Sequence, residues 1–118
     1  MNSSAASKFR KELNGGLVGL VLLALLAETD AAADLYGYEI AKRLAQGSAP
    51  AFKAATIYPV LRGLSAAGLL TSRIVPSYSG PPRRYYRITS QGRATLAEWR
   101  AIWSDTRDFV NRFTGAEG

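Results

Sequence analysis

The chain has 118 residues, of which 47% are apolar and 20% are charged, and its formal net charge is +6. This composition argues against general disorder and predicts one domain with a modest core. Cysteine and histidine are both absent, which excludes disulfides, metal sites built on thiolate or imidazole, and Ser-His or Cys-His catalysis. Catalysis by carboxylates or lysine is not excluded by composition.

The positive charge is concentrated in the middle of the chain. No acidic residue lies between Glu39 and Glu98, whereas that stretch holds nine lysines and arginines. A long acid-free, arginine-rich segment is typical of a protein that binds a polyanion. A generally basic surface or contact with anionic lipid would also explain it, but nucleic acid is favoured because the basic residues alternate with Tyr, Thr and Ser.

The N-terminal part predicts a buried first helix over residues 7–28, which Gly15 and Gly16 weaken and could break. A basic start, the apolar run 17–27 and the alanines 31–33 also imitate a signal peptide. Removing that segment would leave the rest of the chain without a helix to cover it. A membrane span needs about 20 apolar residues, so this shorter run predicts no membrane insertion.

A short second helix is predicted for LYGYEIAKRLAQG. Asp34 is the expected N-cap and Gly47 the expected stop. Tyr36, Ile40 and Leu44 are four residues apart and would form one apolar ridge. With a brief linker and the next helix, this segment predicts a helix-turn-helix.

A third helix is predicted within residues 53–67, where apolar residues recur at helical spacing from Ile57 to Leu64. Another side carries small groups, hydroxyls and one guanidinium but no carboxylate: Ala55, Thr56, Tyr58, Pro59 and Arg62. Such a face suits the DNA major groove, although a core helix with a mixed outer face would look the same. Pro59 is expected near the helix start, where a missing N–H costs least, and Gly68 is the expected stop.

Two strands, 69–75 and 83–88, are predicted around the turn segment 76–82. A hairpin directly after a recognition helix is a wing, and Arg83 and Arg84 at its tip would suit a narrow minor groove. An ordinary surface hairpin is the alternative.

Thr89 is expected to cap a last helix over residues 90–113. Its apolar seam has spacings that alternate between three and four, which is typical of a coiled coil: Leu96, Trp99, Trp103, Thr106, Val110 and Phe113. Ile102 and Phe109 widen this stripe beyond what one small domain would bury. The pattern predicts a homodimer in which this helix packs on its partner and on the first helix. The alternative is that it folds back entirely within one chain.

Three blocks in this order, YGYEI, TIYPVLRGLSAAGLL and GPPRRYYRITSQGR, resemble the PadR family of bacterial transcriptional regulators over about residues 17–93. The C-terminal part is similar to the short branch of that family, in which one helix dimerises. The resemblance implies a mainly α fold with a small β-hairpin, comprising a winged helix-turn-helix domain (1–89) and a C-terminal dimerisation helix (90–118). It also implies a cytoplasmic homodimer that binds a pseudo-palindromic operator in double-stranded DNA and represses.

Carried over by motif, the resemblance implies DNA contacts from seven residues: Tyr36, Lys53, Thr56, Tyr58, Arg62, Arg83 and Arg84. Ala55 stands where many family members have glycine, which bears on where the recognition helix begins.

Some short-branch members hold flat aromatic ligands between paired tryptophans at the dimer centre. Trp103 falls at the corresponding position, and Trp99 lies one turn earlier. Both tryptophans could instead only pack the dimer core. Dimer contacts are expected from the same helix: Leu96, Ile102, Val110 and Phe113.

The leading functional hypothesis is therefore a DNA-binding repressor with a possible aromatic effector and no metal or other cofactor. A winged-helix module that binds an acidic protein without reading DNA is the second. Catalysis is disfavoured, because Glu28, Asp30 and Asp34, like Asp105 and Asp108, are typical of solvated helix ends and no nucleophile–base pair accompanies them.

Overall fold

A computed structural model describes residues 3–28, 35–45 and 52–115, and most of them are helical. In chain order the elements are α1 (Ser3–Ala27), β1 (Leu35–Tyr36), α2 (Gly37–Ala45), α3 (Ala54–Ala66), β2 (Leu70–Val75), β3 (Arg83–Ile88) and α4 (Ser90–Thr114). This arrangement confirms the predicted fold class, a mainly α winged helix-turn-helix with a long C-terminal helix. Asp34 and Gly47, the predicted ends of the second helix, lie outside the described residues.

Helix α1 runs without a break through Gly15 and Gly16, so the predicted weak point does not interrupt it. A Cβ added at either glycine would meet no atom within 4 Å, so no neighbouring group requires glycine there. The C-terminal half of α1 is held by packing, because Leu22, Leu23 and Leu26 have no exposed surface. Tertiary packing of an apolar face stabilises a helix more than intrinsic propensity does, which accounts for its continuity.

The core forms around the apolar half of α1, which contacts α3, β3 and α4. Its buried side chains come from all four helices and from the hairpin: Val18, Leu22, Leu23, Leu26, Ile40, Ile57, Leu61, Leu64, Leu69, Leu70, Tyr86, Ile88 and Leu96. The apolar stripe predicted for α3 therefore faces inward. None of the helices in the described ranges is both long and apolar enough to span a bilayer.

The sheet has three antiparallel strands in the order β1-β3-β2. The hairpin of β2 and β3 is the predicted wing, and its register runs from Leu70 opposite Ile88 to Val75 opposite Arg83. The third strand, β1, corrects a prediction, because Tyr36 was expected in the second helix. Tyr36 pairs instead with Tyr85 of β3, and α2 begins one residue later.

Helix α3 includes a proline well inside it, since Pro59 is its sixth residue. The sequence placed Pro59 in the N-terminal part of the helix, and it lies there but beyond the first turn, so its missing N–H removes one backbone hydrogen bond. The helix persists because Ile57, Leu61 and Leu64 anchor its other face in the core. It ends as predicted at Gly68, whose φ of 82° lies in the left-handed region that favours glycine.

Thr89 and Gly92 join α4 to the start of the hairpin. The Thr89 hydroxyl accepts a bond from the backbone N–H of Gly92 at 2.9 Å and donates to the carbonyl oxygen of Gly68 at 2.8 Å. This confirms Thr89 as the helix cap. A Cβ at Gly92 would overlap the carbonyl oxygen of Leu69 and lie 2.7 Å from Cγ1 of Ile88. Only glycine therefore allows the first turn of α4 to pack this closely on the strand ends.

We predict that Gly92→Ala lowers the free energy of unfolding by about 3 kcal/mol, because the added methyl group must displace backbone. Chemical denaturation followed by circular dichroism measures this. Gly63→Ala is the matched control, since Gly63 lies inside α3, where an added methyl group would meet no atom within 4 Å. That change should raise stability by roughly 0.5–1 kcal/mol. Equal stabilities of the two variants would contradict the close packing at Gly92.

Candidate nucleic-acid interface

The predicted DNA-facing side of α3 is open to solvent. Lys53, Thr56, Pro59 and Arg62 are exposed, and Tyr58 is half-buried. The reason is the apolar stripe on the other side of the helix, which turns this side outward. A helix with one anchored face and one exposed, acid-free face has the geometry needed to enter a groove of duplex DNA.

The wing lies beside this helix and shares a cleft with it. Gly37, Tyr38, Tyr58, Arg62, Arg84 and Tyr86 line a cavity of about 280 Å³ between α2, α3 and the hairpin. Arg62 and Arg84 therefore line the same cavity although they are far apart in sequence. Two guanidinium groups beside tyrosine rings form a site with positive charge and hydrogen-bond donors, which suits a phosphate group.

Gly37 sets how closely the parts of this cleft approach each other. A Cβ there would lie 3.3 Å from Cε1 of Tyr58 and 3.5 Å from Cε2 of Tyr86. The absence of a side chain at the start of α2 thus lets one tyrosine from α3 and one from β3 pack against the same backbone. The lack of a side chain at Gly37 therefore allows α3 and the wing to pack closely at this point.

Tyr86 forms the buried floor of the cleft. Burial raises the pKa of its phenol, and the positive charges of Arg84 and Arg62 oppose that rise in part. The phenol is therefore uncharged at neutral pH and does not cancel the arginine charges. An anion entering the cleft meets two guanidinium groups over a neutral floor.

The two arginines predicted at the wing tip point to opposite faces of the hairpin. Strand alternation places Arg84 with Tyr86 on the side of the cleft, and its Nη1 donates to Ser72 Oγ at 3.1 Å. Arg83 is exposed and shares the other face with Tyr85. The minor-groove contact predicted from the position of the hairpin would therefore draw on two different sides of the wing.

Lys53 and Thr56 border a second groove, which the sequence reasoning missed. It has a volume of about 520 Å³, and its other wall is the N-terminal half of α1: Ser7, Arg10, Lys11, Asn14 and Gly15. The helical spacing of these polar residues was a usable signal. Tyr36, the remaining predicted DNA contact, lies in β1 next to β3, and the structure describes its backbone pairing only.

A third groove, on the other side of α1, carries the predicted tryptophans. It measures about 450 Å³ and lies between α1 and α4, with Glu12, Leu13, Leu17, Trp99, Ile102 and Trp103 among its lining residues. Trp99 packs against the core, whereas Trp103 is 37% exposed. The cavity is thus open on the side that α4 presents to solvent.

Helix α4 exposes three of its four predicted dimer contacts. Ile102 is 62% exposed, Val110 46% and Phe113 73%, and Phe109 beside them is 56% exposed. Leu96 differs, because it is only 3% exposed and belongs to the core of its own chain. Leu96 therefore cannot contribute to a contact with another chain in this conformation, and the exposed apolar stripe consists of the residues beyond it.

Solved structures resemble this one along nearly the whole chain. A PadR family transcriptional regulator from Eggerthella lenta DSM 2243 is 33% identical, with a TM-score of 0.82, over 98% of this chain and 96% of that one. A PadR-like transcriptional regulator from Bacillus cereus strain ATCC 14579 is 26% identical, with a TM-score of 0.67, over 86% and 95%. The two similarities show that the fold of this chain recurs in other proteins.

Sequence comparison agrees with the structural one. An uncharacterised protein of Lysinibacillus sphaericus is 30% identical over 106 residues, which cover 88% of this chain and 94% of that protein. Residues 22–98, well over half of the chain, match the family described as transcriptional regulator PadR-like. The chain belongs to the PadR-like family of transcriptional regulators.

Proposed function

We propose that this PadR-like regulator is a homodimeric repressor that binds a pseudo-palindromic operator in double-stranded DNA. The observation that carries the proposal is the convergence of Arg62 from α3 and Arg84 from the wing beside the exposed face of α3. In a dimer, two such helices would enter successive major grooves about 34 Å apart. A dimer bound across a promoter would exclude polymerase, which is the physical basis for repression.

The residues of this surface divide between affinity and sequence reading. Lys53 and Arg84 would neutralise phosphates, which supplies affinity without specificity. Thr56 and Arg62 lie on the exposed face of α3 and would reach base edges. Arginine recognises guanine through O6 and N7, with a discrimination of about 1–3 kcal/mol. Tyr58 is held against Gly37 and would position the helix rather than read bases on its own.

We predict that Arg62→Ala lowers affinity for the preferred operator by about tenfold or more and removes preference at one base pair. The operator is first selected from random duplexes with the wild-type protein, and affinities are then measured on single-base variants. Arg112→Ala is the matched control, since Arg112 is an exposed cation in the last turn of α4, outside α3 and the wing. A uniform loss of affinity on all duplexes would assign Arg62 to a phosphate contact. If the selection enriches no sequence, the proposal is overturned.

The apolar stripe on α4 is the proposed dimer contact. Ile102, Phe109, Val110 and Phe113 would lose solvent-exposed surface against a second copy, and large exposed apolar patches are rare on monomers. The groove between α1 and α4 opens beside this stripe, so the partner would also cover its rim.

We predict that Ile102→Asp converts the dimer to a monomer, because a buried unpaired carboxylate opposes association. Sedimentation equilibrium of the wild type and the variant measures the mass. Ala101→Asp is the control, since it adds the same charge at an exposed neighbouring position off the apolar stripe and should remain dimeric. A monomeric wild type would contradict the dimer, whatever the variants do.

The groove between α1 and α4 is the proposed effector site, for a flat aromatic molecule. Trp103 offers an exposed ring at its edge, and Glu12 supplies a carboxylate that favours a cationic ligand. A ligand that binds between the α4 helices of a dimer would change the separation of the two recognition helices. Ligand and operator affinities would then be coupled, and the coupling must be reciprocal.

We predict that the planar cation acridine orange binds the wild type and that Trp103→Ala weakens this binding about tenfold or more, through loss of ring stacking. Fluorescence polarisation without DNA measures it. Tyr78→Ala, which removes an exposed ring from the turn between β2 and β3, outside both the groove and the apolar stripe of α4, serves as the control and should bind the dye normally. Equal binding to the wild type and Trp103→Ala would remove the effector claim without affecting DNA recognition.

A further inference from the structure

The N-terminal half of α1 carries two faces with different chemistry. Leu13 and Leu17 point to the groove shared with α4. Arg10, Lys11 and Asn14 point to the other groove. The far wall of that groove is the start of α3. The second face is polar at helical spacing although it lies opposite another helix of the same chain. A pair of helices that packed for stability would place apolar side chains there.

The groove behind this polar face is a concentrated site of positive charge. Its described lining residues include three cations, Arg10, Lys11 and Lys53, and no carboxylate. Within the described part of the chain, no salt bridge to any of the three is formed. Cations held near one another without counter-charge repel, and that repulsion is relieved when an anion enters.

The position of the groove identifies the anion. Lys53 and Thr56 border it, and they are also the first residues of the proposed recognition surface. The major groove of B-DNA is about 12 Å wide and is walled by phosphates. A helix that enters it with its N-terminal end brings whatever lies beside that end against the phosphate wall. The first turn of α3 also lacks acidic residues and a side-chain cap, so its dipole adds to the positive potential.

We propose that the N-terminal half of α1 is a third DNA-contacting element, in which Arg10 and Lys11 hold the phosphate backbone next to the groove that α3 enters. This inference rests on the proposed function, because it places DNA by α3. This phosphate contact adds affinity without sequence preference, because a guanidinium or ammonium group bound to phosphate does not distinguish one base pair from another. The operator footprint thus extends from the wing, across α3, to α1.

The test is a titration of Arg10→Ala and Lys11→Ala by fluorescence anisotropy, on the selected operator and on a scrambled duplex, at about 50 and about 200 mM salt. Each variant should bind both duplexes more weakly by the same factor, about threefold or more at the lower salt. The slope of log affinity against log salt should become shallower by about 0.9 for each lost contact. Lys11→Arg should keep the wild-type slope.

Arg112→Ala is the matched control, because Arg112 is an exposed cation in the last turn of α4. It should leave the slope unchanged. A wild-type slope in Arg10→Ala and Lys11→Ala, or an equal change in Arg112→Ala, would overturn the contact by α1 while leaving recognition by α3 intact. If the wild type binds both duplexes alike, the proposed specificity fails, but the slopes still decide whether α1 touches phosphate. Circular dichroism melting confirms that each variant is folded.

Discussion

The packing of the apolar half of α1 is the interaction on which both proposed surfaces depend. Leu22, Leu23 and Leu26 have no exposed surface, and α1 contacts α3 and α4 as well as β3. Protein interiors are packed at the density of organic crystals, so helices that share such a core do not move independently. α1 therefore helps to set the orientation of the exposed face of α3 relative to the apolar stripe of α4. In the proposed dimer, a change between two α4 helices would reach the proposed DNA surface through α1 and through the junction of Thr89 and Gly92 with the end of α3.

The proposed DNA surface combines elements that have little in common except position. Arg62 and Arg84 meet in a cleft because strand alternation turns Arg84 towards α3 and because Gly37 adds no side chain between the tyrosines. On the other side of α3, Arg10 and Lys11 of α1 approach Lys53. Positive charge thus flanks α3 on both sides. Because the buried phenol of Tyr86 is neutral, it does not offset the positive charge of the arginines in the cleft.

Local patterns predicted the parts of the fold that depend on neighbours in sequence. Helical spacing placed Ile57, Leu61 and Leu64 on one face, and all three are buried. Thr89 was recognised as a cap and Gly68 as a stop because both act within one turn of their helix. The exposure of the side of α3 that is proposed to face DNA followed from the same periodicity. These features depend on spacing and local backbone geometry, which are visible in a string of residues.

Long-range pairing decided what local patterns left open or predicted wrongly. By spacing, Tyr36 fits the apolar ridge of a helix. The edge of β3 that is not paired with β2 offers backbone hydrogen-bond partners, so Tyr36 forms a strand there instead. Leu96 fits a coiled-coil seam by spacing, yet it is buried within its own chain. The reason is that the first turns of α4 pack on the core and only the later turns extend beyond the core. The groove between α1 and α3 joins residues about forty positions apart in the sequence.

The sequence by itself determined the four helices and the hairpin, the charge of the middle segment and the family membership that its three motif blocks imply. Those depend on composition, periodicity and capping, which each segment carries alone. Only the tertiary structure decided which cations share a cleft, which part of the α4 stripe stays exposed and that α1 has a polar face beside the recognition helix. These depend on distances between segments, and packing of the common core sets those distances.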